Sequence, residues 1–132
     1  LDPEFNKGIE VIVLPNLYGD IVTDVAAEHQ GGLGTASSSN IGNKYAMFEA
    51  IHGTAPFLMS HGRGNYADPC SLIRAAGMLM AHIGYGDRKE ILDKALDICT
   101  ITEKKLVVTT DVDGATAAEF TDYLIDTINR MK

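Results

Sequence analysis

The sequence has little cysteine and no pattern that would make a disulfide or zinc framework. Cys70 and Cys99 are its two cysteines, and they lie far apart with no CxxC pair between them. Small secreted domains that depend on disulfides carry several closely spaced cysteines, so this pattern excludes that class. It fits a protein that works in a reducing cytoplasm.

Long apolar runs and an excess of positive charge are also absent. No apolar run approaches the roughly 20 residues that are needed to span a bilayer. The 132 residues carry 18 acidic and 11 basic side chains, which gives a net charge of −7. Because nucleic acids and anionic lipids repel an acidic protein, we expect neither a nucleic-acid nor a membrane partner. Length and composition are those of one globular domain.

A Rossmann dinucleotide fingerprint is missing as well. Three glycines occur within residues 31–34, but Gly-Gly-Leu-Gly does not have the GxGxxG spacing. These glycines predict the end of a helix, since they allow backbone conformations that a helix excludes. The small polar residues that follow, 35–42, predict a loop.

The most informative stretch is Asn-Leu-Tyr-Gly-Asp-Ile-Val-Thr-Asp, residues 16–24. The apolar run at residues 11–14 ends at Pro15 and predicts a buried strand. After Gly19 the apolar residues recur at helical spacing. The stretch therefore predicts a strand, a tight loop and a helix.

Asp20 and Asp24 are four residues apart, which places both carboxylates on one face of that helix. Two neighbouring carboxylates suit a hard cation such as Mg²⁺, which binds protein carboxylates together with substrate oxygens. Alternatively, Asp20 caps the helix and Asp24 is a solvated acid in its first turn. From spacing alone, the capping interpretation is favoured.

A compact polar turn follows the second predicted strand. Residues 45–50 predict that strand, and His-Gly-Thr-Ala-Pro at residues 52–56 follows it closely. Such a turn can present backbone N–H groups to a ligand at the edge of a sheet. From spacing alone, a plain turn with His52 bonded to the backbone is favoured.

The second half of the chain is mainly helical. Asp68 and Pro69 predict the N-cap and first residue of a helix. Apolar residues between positions 72 and 83 leave that helix little polar face, so we expect it in a core or a subunit interface. Capping-box patterns at residues 87–90 and 116–119 predict the starts of two more helices. The chain thus has about four helices and two or three strands, an α/β pattern.

Four blocks together resemble a known family. Residues 16–24, 31–34, 40–42 and 48–56 are similar to the C-terminal part of the isocitrate and isopropylmalate dehydrogenases, which are metal-dependent β-decarboxylating dehydrogenases. The blocks occur in the family's order and at close to its spacing. The resemblance implies the C-terminal part of that α/β fold. Two runs are closer to the isocitrate members than to the isopropylmalate members: Ser-Asn-Ile-Gly at residues 39–42 and Phe-Glu-Ala at residues 48–50.

The resemblance implies a parent enzyme that oxidatively decarboxylates isocitrate, or a related 2-hydroxy acid, with NAD⁺ or NADP⁺ and with Mg²⁺ or Mn²⁺. The resemblance implies that Asp20 and Asp24 are metal ligands, in place of the interpretation of Asp20 as a helix cap and Asp24 as a solvated acid. The cofactor-binding residues that it implies are His52, Gly53, Thr54, Ala55, Pro56 and Asp68. No catalytic residue falls in this chain, so we expect the chain alone to be inactive. The implied parent is a homodimer in the cytoplasm, or in the mitochondrial matrix of a eukaryote.

Two positions and the length of one loop depart from the family's pattern. Phe57 stands where NAD-dependent members carry an Asp and NADP-dependent bacterial isocitrate members a Lys. Neither coenzyme signature is met, and NAD⁺ is favoured over NADP⁺. Arg63 lies in a lengthened loop, and its guanidinium suits the 2′-phosphate of NADP⁺. Asp68 stands where members often carry an Asn that contacts adenine. Two alternatives stay open: an isopropylmalate or related 3-substituted malate dehydrogenase, and a non-catalytic regulatory subunit of a heteromeric isocitrate dehydrogenase.

The resemblance also divides the chain. Residues 1–7 look like a cloning-derived tail, residues 8–30 like the end of the small dimer-forming domain, and residues 31–132 like the C-terminal part of the large α/β cofactor-binding domain. We therefore expect this chain to be a part of a longer enzyme. A domain cut in this way exposes apolar helix faces and unpaired strand edges, which favour self-association.

Overall fold

The computed structural model describes residues 12–30, 36–109 and 113–131. Within these ranges the mixed α/β class is confirmed: five α-helices, one 3₁₀ helix and one π-helix accompany a two-stranded antiparallel sheet. None of the helices in these ranges has the length and apolarity to cross a bilayer. In chain order the elements are α1 (Asn16–Gln30), β1 (Ser37–Ile41), β2 (Ala46–Ala50), α2 (Pro56–Ser60), the 3₁₀ helix (Gly64–Tyr66), α3 (Cys70–His82), α4 (Gly86–Asp97), the π-helix (Ile98–Glu103) and α5 (Ala117–Arg130).

The core lies where α3, α4, the π-helix and α5 meet. Phe120 and Leu124 of α5 pack against Leu96 of α4 and Cys99 of the π-helix, and all four side chains are buried. The spacing of Phe120 and Leu124 puts both on one face of α5, as the apolar repeat predicts. Burying each large apolar side chain stabilises the fold by about 1.5–3 kcal/mol.

A capping box forms at the start of α5 but not at the start of α4. Thr116 and Glu119 form the predicted capping box, in which the Glu119 N–H donates to the Thr116 hydroxyl at 3.3 Å and the Thr116 N–H donates to the Glu119 carboxylate at 2.9 Å. The capping box predicted at residues 87–90 is wrong. Helix α4 begins earlier, at Gly86, and its N-cap residue Tyr85 makes no side-chain cap bond.

The hairpin of β1 and β2 packs on α3. Ser38 pairs with Glu49 in the antiparallel register. Met47, Phe48 and their neighbours alternate in burial along β2, which confirms the predicted strand. The ring centroids of Phe48 and His82 are 5.4 Å apart, which joins β2 to the end of α3.

Strand β1 corrects one prediction. Residues 35–42 read as a loop because they are small and polar, yet Ser37–Ile41 forms a strand. Its stability comes from cross-strand hydrogen bonds and from contact with α3, where the Ser71 hydroxyl donates to the Ala36 carbonyl. A polar strand gives no apolar alternation, so sequence periodicity misses it.

Helix α1 corrects two more predictions. It begins at Asn16, directly after Pro15, whose carbonyl accepts a hydrogen bond from the Gly19 N–H at 2.8 Å. The predicted tight loop before the helix is therefore absent. Residues 12–15 are exposed and form no strand, since no neighbouring strand in the described ranges pairs with them. Val11, the first residue of the predicted strand, and residues 1–7, the predicted tail, lie outside those ranges.

The large apolar side chains of two helices stay exposed. In α3 the buried positions are mostly small, among them Ser71, Ala75 and Gly77, whereas Leu72 and Leu79 are 60% and 43% exposed. The prediction that a core buries α3 on most sides is therefore wrong for the described residues, whereas its burial in a subunit interface stays a prediction. Helix α1 is exposed over most of its length, and its apolar residues in contact with solvent are Leu17, Tyr18, Ile21, Val22 and Val25.

A polar network anchors the end of α5 to the π-helix. Glu103 accepts hydrogen bonds from two guanidinium nitrogens of Arg130, each at 3.2 Å, and from the Tyr123 hydroxyl at 2.8 Å. The Lys105 ammonium lies 2.9 Å from the same carboxylate. The bonds from Arg130, Lys105 and Tyr123 lower the pKa of Glu103 to about 2. The next residue, Lys104, has a positive φ of 48°, which ends the helical run.

Truncation of Leu124 tests the position of the core. We expect Leu124→Ala to lower the free energy of unfolding by about 2–5 kcal/mol, because it leaves a cavity beside Phe120. Ile125, the next residue on the same helix, is 49% exposed, and Ile125→Ala should change the free energy by less than about 0.5 kcal/mol. Urea unfolding of both variants measures this, and equal losses would contradict the assignment of the core face.

The Glu103 network makes stability depend on pH. The folded-state pKa of Glu103 lies below its ordinary value of 4.5, so ionised Glu103 stabilises the fold above about pH 4.5. This contribution is lost as the pH falls toward 2. We expect wild type to be more stable than Glu103→Gln at pH 6, with a smaller difference at pH 3. Urea unfolding at both values measures it. Glu90→Gln, at an exposed position, should show no such trend, and a Glu103→Gln difference that is equal at both pH values would contradict the network.

Candidate functional site

The turn between β2 and α2 contains an unusual backbone conformation. Ala55 has φ 45° and ψ 60°, in the left-handed region that residues other than glycine rarely adopt. Pro56 follows as the first residue of α2, where its fixed φ suits a helix start. Strained backbone of this kind is concentrated at ligand-binding and active sites.

His52 is exposed and bonded to the adjacent backbone. Its Nδ1 lies 3.0 Å from the Gly53 carbonyl oxygen. Because a carbonyl oxygen only accepts, Nδ1 carries the proton of this bond. The other ring nitrogen, Nε2, is then a hydrogen-bond acceptor whenever the ring is neutral.

Gly53 sits in open surroundings. A Cβ placed on it would meet no other atom within 4 Å, and its φ lies outside the left-handed region. Neither packing nor backbone conformation therefore requires glycine here. The residue leaves space in front of the turn.

Asp68 lies at the start of α3, as predicted. Its Oδ1 accepts a hydrogen bond from the Cys70 N–H at 2.8 Å, which satisfies one of the free donors of the helix's first turn. Helix α3 begins at Cys70 with Pro69 as its N-cap, one residue later than predicted. The hydrogen bond from the Cys70 N–H to Asp68 is nevertheless the capping bond that was expected of Asp68.

The structure brings this turn and Asp68 together around one cavity of about 310 Å³. Its lining residues are His52, Gly53, Thr54, Ala55, Leu58, Met59, Ala67 and Asp68. Five of the six predicted cofactor-binding residues are in this lining; Pro56 is not, although it begins the helix that supplies Leu58 and Met59. Apolar walls with a few polar groups at one side are typical of small-molecule sites.

Three lining residues were not predicted. Leu58, Met59 and Ala67 lie in residues 57–67, which read as a lengthened loop. In the structure this segment contains α2 and the 3₁₀ helix, and Leu58 is buried. Pro56 as a first helical residue was the available signal. Arg63, predicted as a possible phosphate contact, is not in the cavity lining.

A second cavity of about 230 Å³ lies on the α3 side of Asp68. Cys70 lines it, and burial raises the pKa of the Cys70 thiol well above its usual range. The thiol therefore stays protonated at neutral pH, which makes it a poor nucleophile and a poor metal ligand. Nothing in this second cavity adds to the predicted site except the shared residue Asp68.

The structure places Asp20 and Asp24 in α1, four residues apart and both exposed. Helix α1 begins at Asn16, so the interpretation of Asp20 as its cap is wrong and neither carboxylate lies in the first turn. Among the residues that the structure describes, neither forms an ion pair, and no three His, Cys, Asp or Glu side chains cluster to form a complete metal site. Two neighbouring carboxylates can supply two of the oxygen ligands that a divalent cation takes.

The carboxylate pair and the cavity are separate features in this chain. No residue of α1 lines the cavity. The glycine block at residues 31–34, which joins the two parts in sequence, lies outside the described residues.

Comparison with known proteins supports the resemblance. The family model for isocitrate/isopropylmalate dehydrogenase matches residues 3–128, nearly the whole chain. This chain belongs to the isocitrate/isopropylmalate dehydrogenase family. A relative named isocitrate dehydrogenase [NADP] from Rickettsia typhi is 50% identical over 86 residues, which are 65% of this chain. A second relative, a mitochondrial regulatory subunit of isocitrate dehydrogenase [NAD] from Dictyostelium discoideum, is 44% identical over 97% of it.

Two solved structures share the fold of this chain. The crystal structure of isocitrate dehydrogenase from Methylococcus capsulatus covers 86% of this chain with a TM-score of 0.74 and 34% identity. The crystal structure of the TT0538 protein from Thermus thermophilus covers 90% of it with a TM-score of 0.81 and 33% identity. The chain spans 33% and 24% of those structures, and 17% and 34% of the Rickettsia and Dictyostelium relatives.

Proposed function

We propose that this chain is the coenzyme- and metal-binding part of an isocitrate dehydrogenase. The parent enzyme would oxidise isocitrate and decarboxylate it to 2-oxoglutarate, with NAD⁺ or NADP⁺ and with Mg²⁺ or Mn²⁺. The cavity carries this proposal, because it joins the turn at residues 52–55 to Asp68, two segments that are separate in sequence. The relatives named isocitrate dehydrogenase support the choice of substrate.

The cavity suits the adenosine half of the coenzyme. Leu58, Met59 and Ala67 give it an apolar wall, against which a planar base can pack. A methionine thioether also makes favourable contacts with aromatic rings. Gly53 leaves room for a ligand to approach the backbone of the turn. The polar side chains of His52 and Thr54 lie on the same cavity and provide hydrogen-bonding groups.

Asp20 and Asp24 suit a divalent cation. Their carboxylates share one helix face, are exposed and are not engaged by basic side chains in the described residues. Mg²⁺ and Mn²⁺ are commonly bound by one or two protein carboxylates together with substrate oxygens. When bound, the cation would supply Lewis-acid stabilisation of the negative charge that develops on the substrate's oxygens. The part of the two aspartates is to hold it and to orient the substrate.

A second candidate is a non-catalytic regulatory subunit of a heteromeric isocitrate dehydrogenase. The observation that favours it is the 44% identity, over 97% of this chain, to a relative named as a regulatory subunit. The two candidates differ at the carboxylate pair. A catalytic chain needs Asp20 and Asp24 to bind metal together with isocitrate, whereas a regulatory chain has no such requirement.

The cavity is tested by a substitution that adds one methyl group. We expect Gly53→Ala to weaken NAD⁺ binding by about tenfold or more, since the new Cβ projects into the space in front of the turn. The variant should keep its free energy of unfolding within about 0.5 kcal/mol of wild type, because that Cβ meets no other atom. An amide NMR titration with NAD⁺ measures the affinity, and the shifts should cluster at residues 52–55 and Asp68.

Gly62→Ala is the matched control. Gly62 has φ +68°, so its substitution should cost stability, about 1 kcal/mol. It does not line the cavity, so NAD⁺ affinity should not change. A well-folded spectrum without saturable shifts, or equal affinity in Gly53→Ala and wild type, would contradict the coenzyme assignment.

The carboxylate pair is tested with paramagnetic Mn²⁺. We expect Mn²⁺ to broaden amide signals around Asp20 and Asp24, and added isocitrate to strengthen this broadening because the substrate supplies further oxygen ligands. Asp122 and Asp126 form an exposed pair with the same spacing on α5. There isocitrate should weaken any broadening, since it removes Mn²⁺ by chelation.

The double variant Asp20→Asn/Asp24→Asn should abolish the isocitrate-dependent broadening in α1. Equal behaviour of the two carboxylate pairs would show only general attraction of Mn²⁺ to acids. That result would remove the support for a metal site and would favour the regulatory-subunit candidate.

A further inference from the structure

A further cavity, of about 360 Å³, lies between α3, α4 and the end of α5. It shares no lining residue with the candidate coenzyme cavity. Five of its six lining side chains are apolar; the six residues are Met80, Arg88, Ile91, Leu92, Ile128 and Met131. Its volume and its mainly apolar lining are those of a small-molecule site.

The apolar wall of this cavity is fixed on one side and adaptable on the other. Leu92 and Ile128 are half-buried and pack against the core cluster. Met80 and Met131 have unbranched, polarizable side chains, which can adjust to the shape of a ligand. The wall therefore suits an apolar chain or ring of no fixed shape.

The lining carries a single charge, which is positive. Among the described residues that line this cavity, Arg88 is the one charged side chain. Its Nε lies 3.5 Å from the Asp87 carboxylate, and the two side chains are 64% and 72% exposed, so this ion pair is weak. Its terminal nitrogens form no ion pair within the described ranges. A guanidinium of this kind can donate two parallel hydrogen bonds to a carboxylate.

The part of α4 around Arg88 is charged and exposed. Asp87, Glu90 and Lys94 are all exposed, and side chains of these types are almost never fully buried. This edge of the cavity therefore suits contact with water better than cover by a further apolar layer. The chain as a whole has a net charge of −7, which repels anions, so an anion is attracted only beside a local cation such as Arg88.

We propose that this cavity binds a small amphipathic carboxylate. The apolar part of the ligand lies against Met80, Ile91 and Ile128, and its carboxylate accepts hydrogen bonds from the Arg88 guanidinium. A purely apolar ligand would leave the cation without a partner, and a wholly polar anion would leave the apolar wall in water. The inference is independent of the proposed coenzyme and metal sites, since none of their residues takes part.

The role of Arg88 is tested with octanoate and octanol, which have the same chain length and differ in the head group. Amide NMR titrations of this chain measure both affinities, and we expect saturable shifts around Met80, Ile91 and Ile128. Arg88→Gln should weaken octanoate binding by about fivefold or more, because the amide cannot replace the charged fork. Octanol affinity should stay within about twofold of wild type. Lys94→Gln removes the same charge from an exposed position on α4 outside the lining and should change neither affinity.

The apolar wall is tested by Ile91→Gln. Ile91 is half-buried and does not belong to the core cluster, so the fold should be kept. The polar amide removes apolar contact area from the ligand, and both octanoate and octanol should bind about fivefold more weakly. Ile125→Gln, at a position that is 49% exposed and outside the lining, should leave both affinities unchanged.

Three results would overturn the inference. One is the absence of saturable octanoate shifts in folded wild type. Another is shifts that spread over the exposed apolar side chains of α1, which would show general adhesion of an alkyl chain. The third is an octanoate affinity that Arg88→Gln leaves unchanged, since the carboxylate would then have no part in binding. Each result leaves the coenzyme cavity standing, because the NAD⁺ titration tests that cavity separately.

Discussion

The packing of Phe120 and Leu96 between α3, α4 and α5 is the constraint on which the rest of the described structure depends. It fixes α3, and α3 in turn supports both the β-hairpin and the cavity. Asp68 connects α3 to the cavity directly, because its carboxylate accepts a hydrogen bond from the first turn of α3 and also lines the cavity. The candidate coenzyme site thus adjoins the core cluster of the described residues.

The features that the sequence predicted well depend on local interactions. Asp68 at the start of α3 and the Thr116–Glu119 capping box each involve residues two or three positions apart, so a short motif defines them. The apolar repeat of α5 is similarly local. The His52–Pro56 turn was recognised as a block, and Pro56 begins α2 as its first residue.

The features that the sequence missed depend on distant partners. Strand β1 has no apolar alternation, and only β2 and α3 make Ser37–Ile41 extended. The run before Pro15 is apolar enough for a strand, yet a strand needs a neighbour, and none of the described residues provides one. The exposed apolar side chains of α1 and α3 are consistent with a chain that spans about a third or less of its relatives' length.

The π-helix at Ile98–Glu103 has a further consequence for how this family member tolerates change in length. A π-turn holds one more residue per turn than an α-turn, so it absorbs an added residue without breaking the helix. Here Cys99 of this segment is buried in the core, and Glu103 at its end accepts a hydrogen bond from Arg130. Lys104, in a left-handed conformation, then turns the chain sharply. The extra residue of such a turn would therefore lie between two fixed contacts, the buried Cys99 and the Glu103–Arg130 pair.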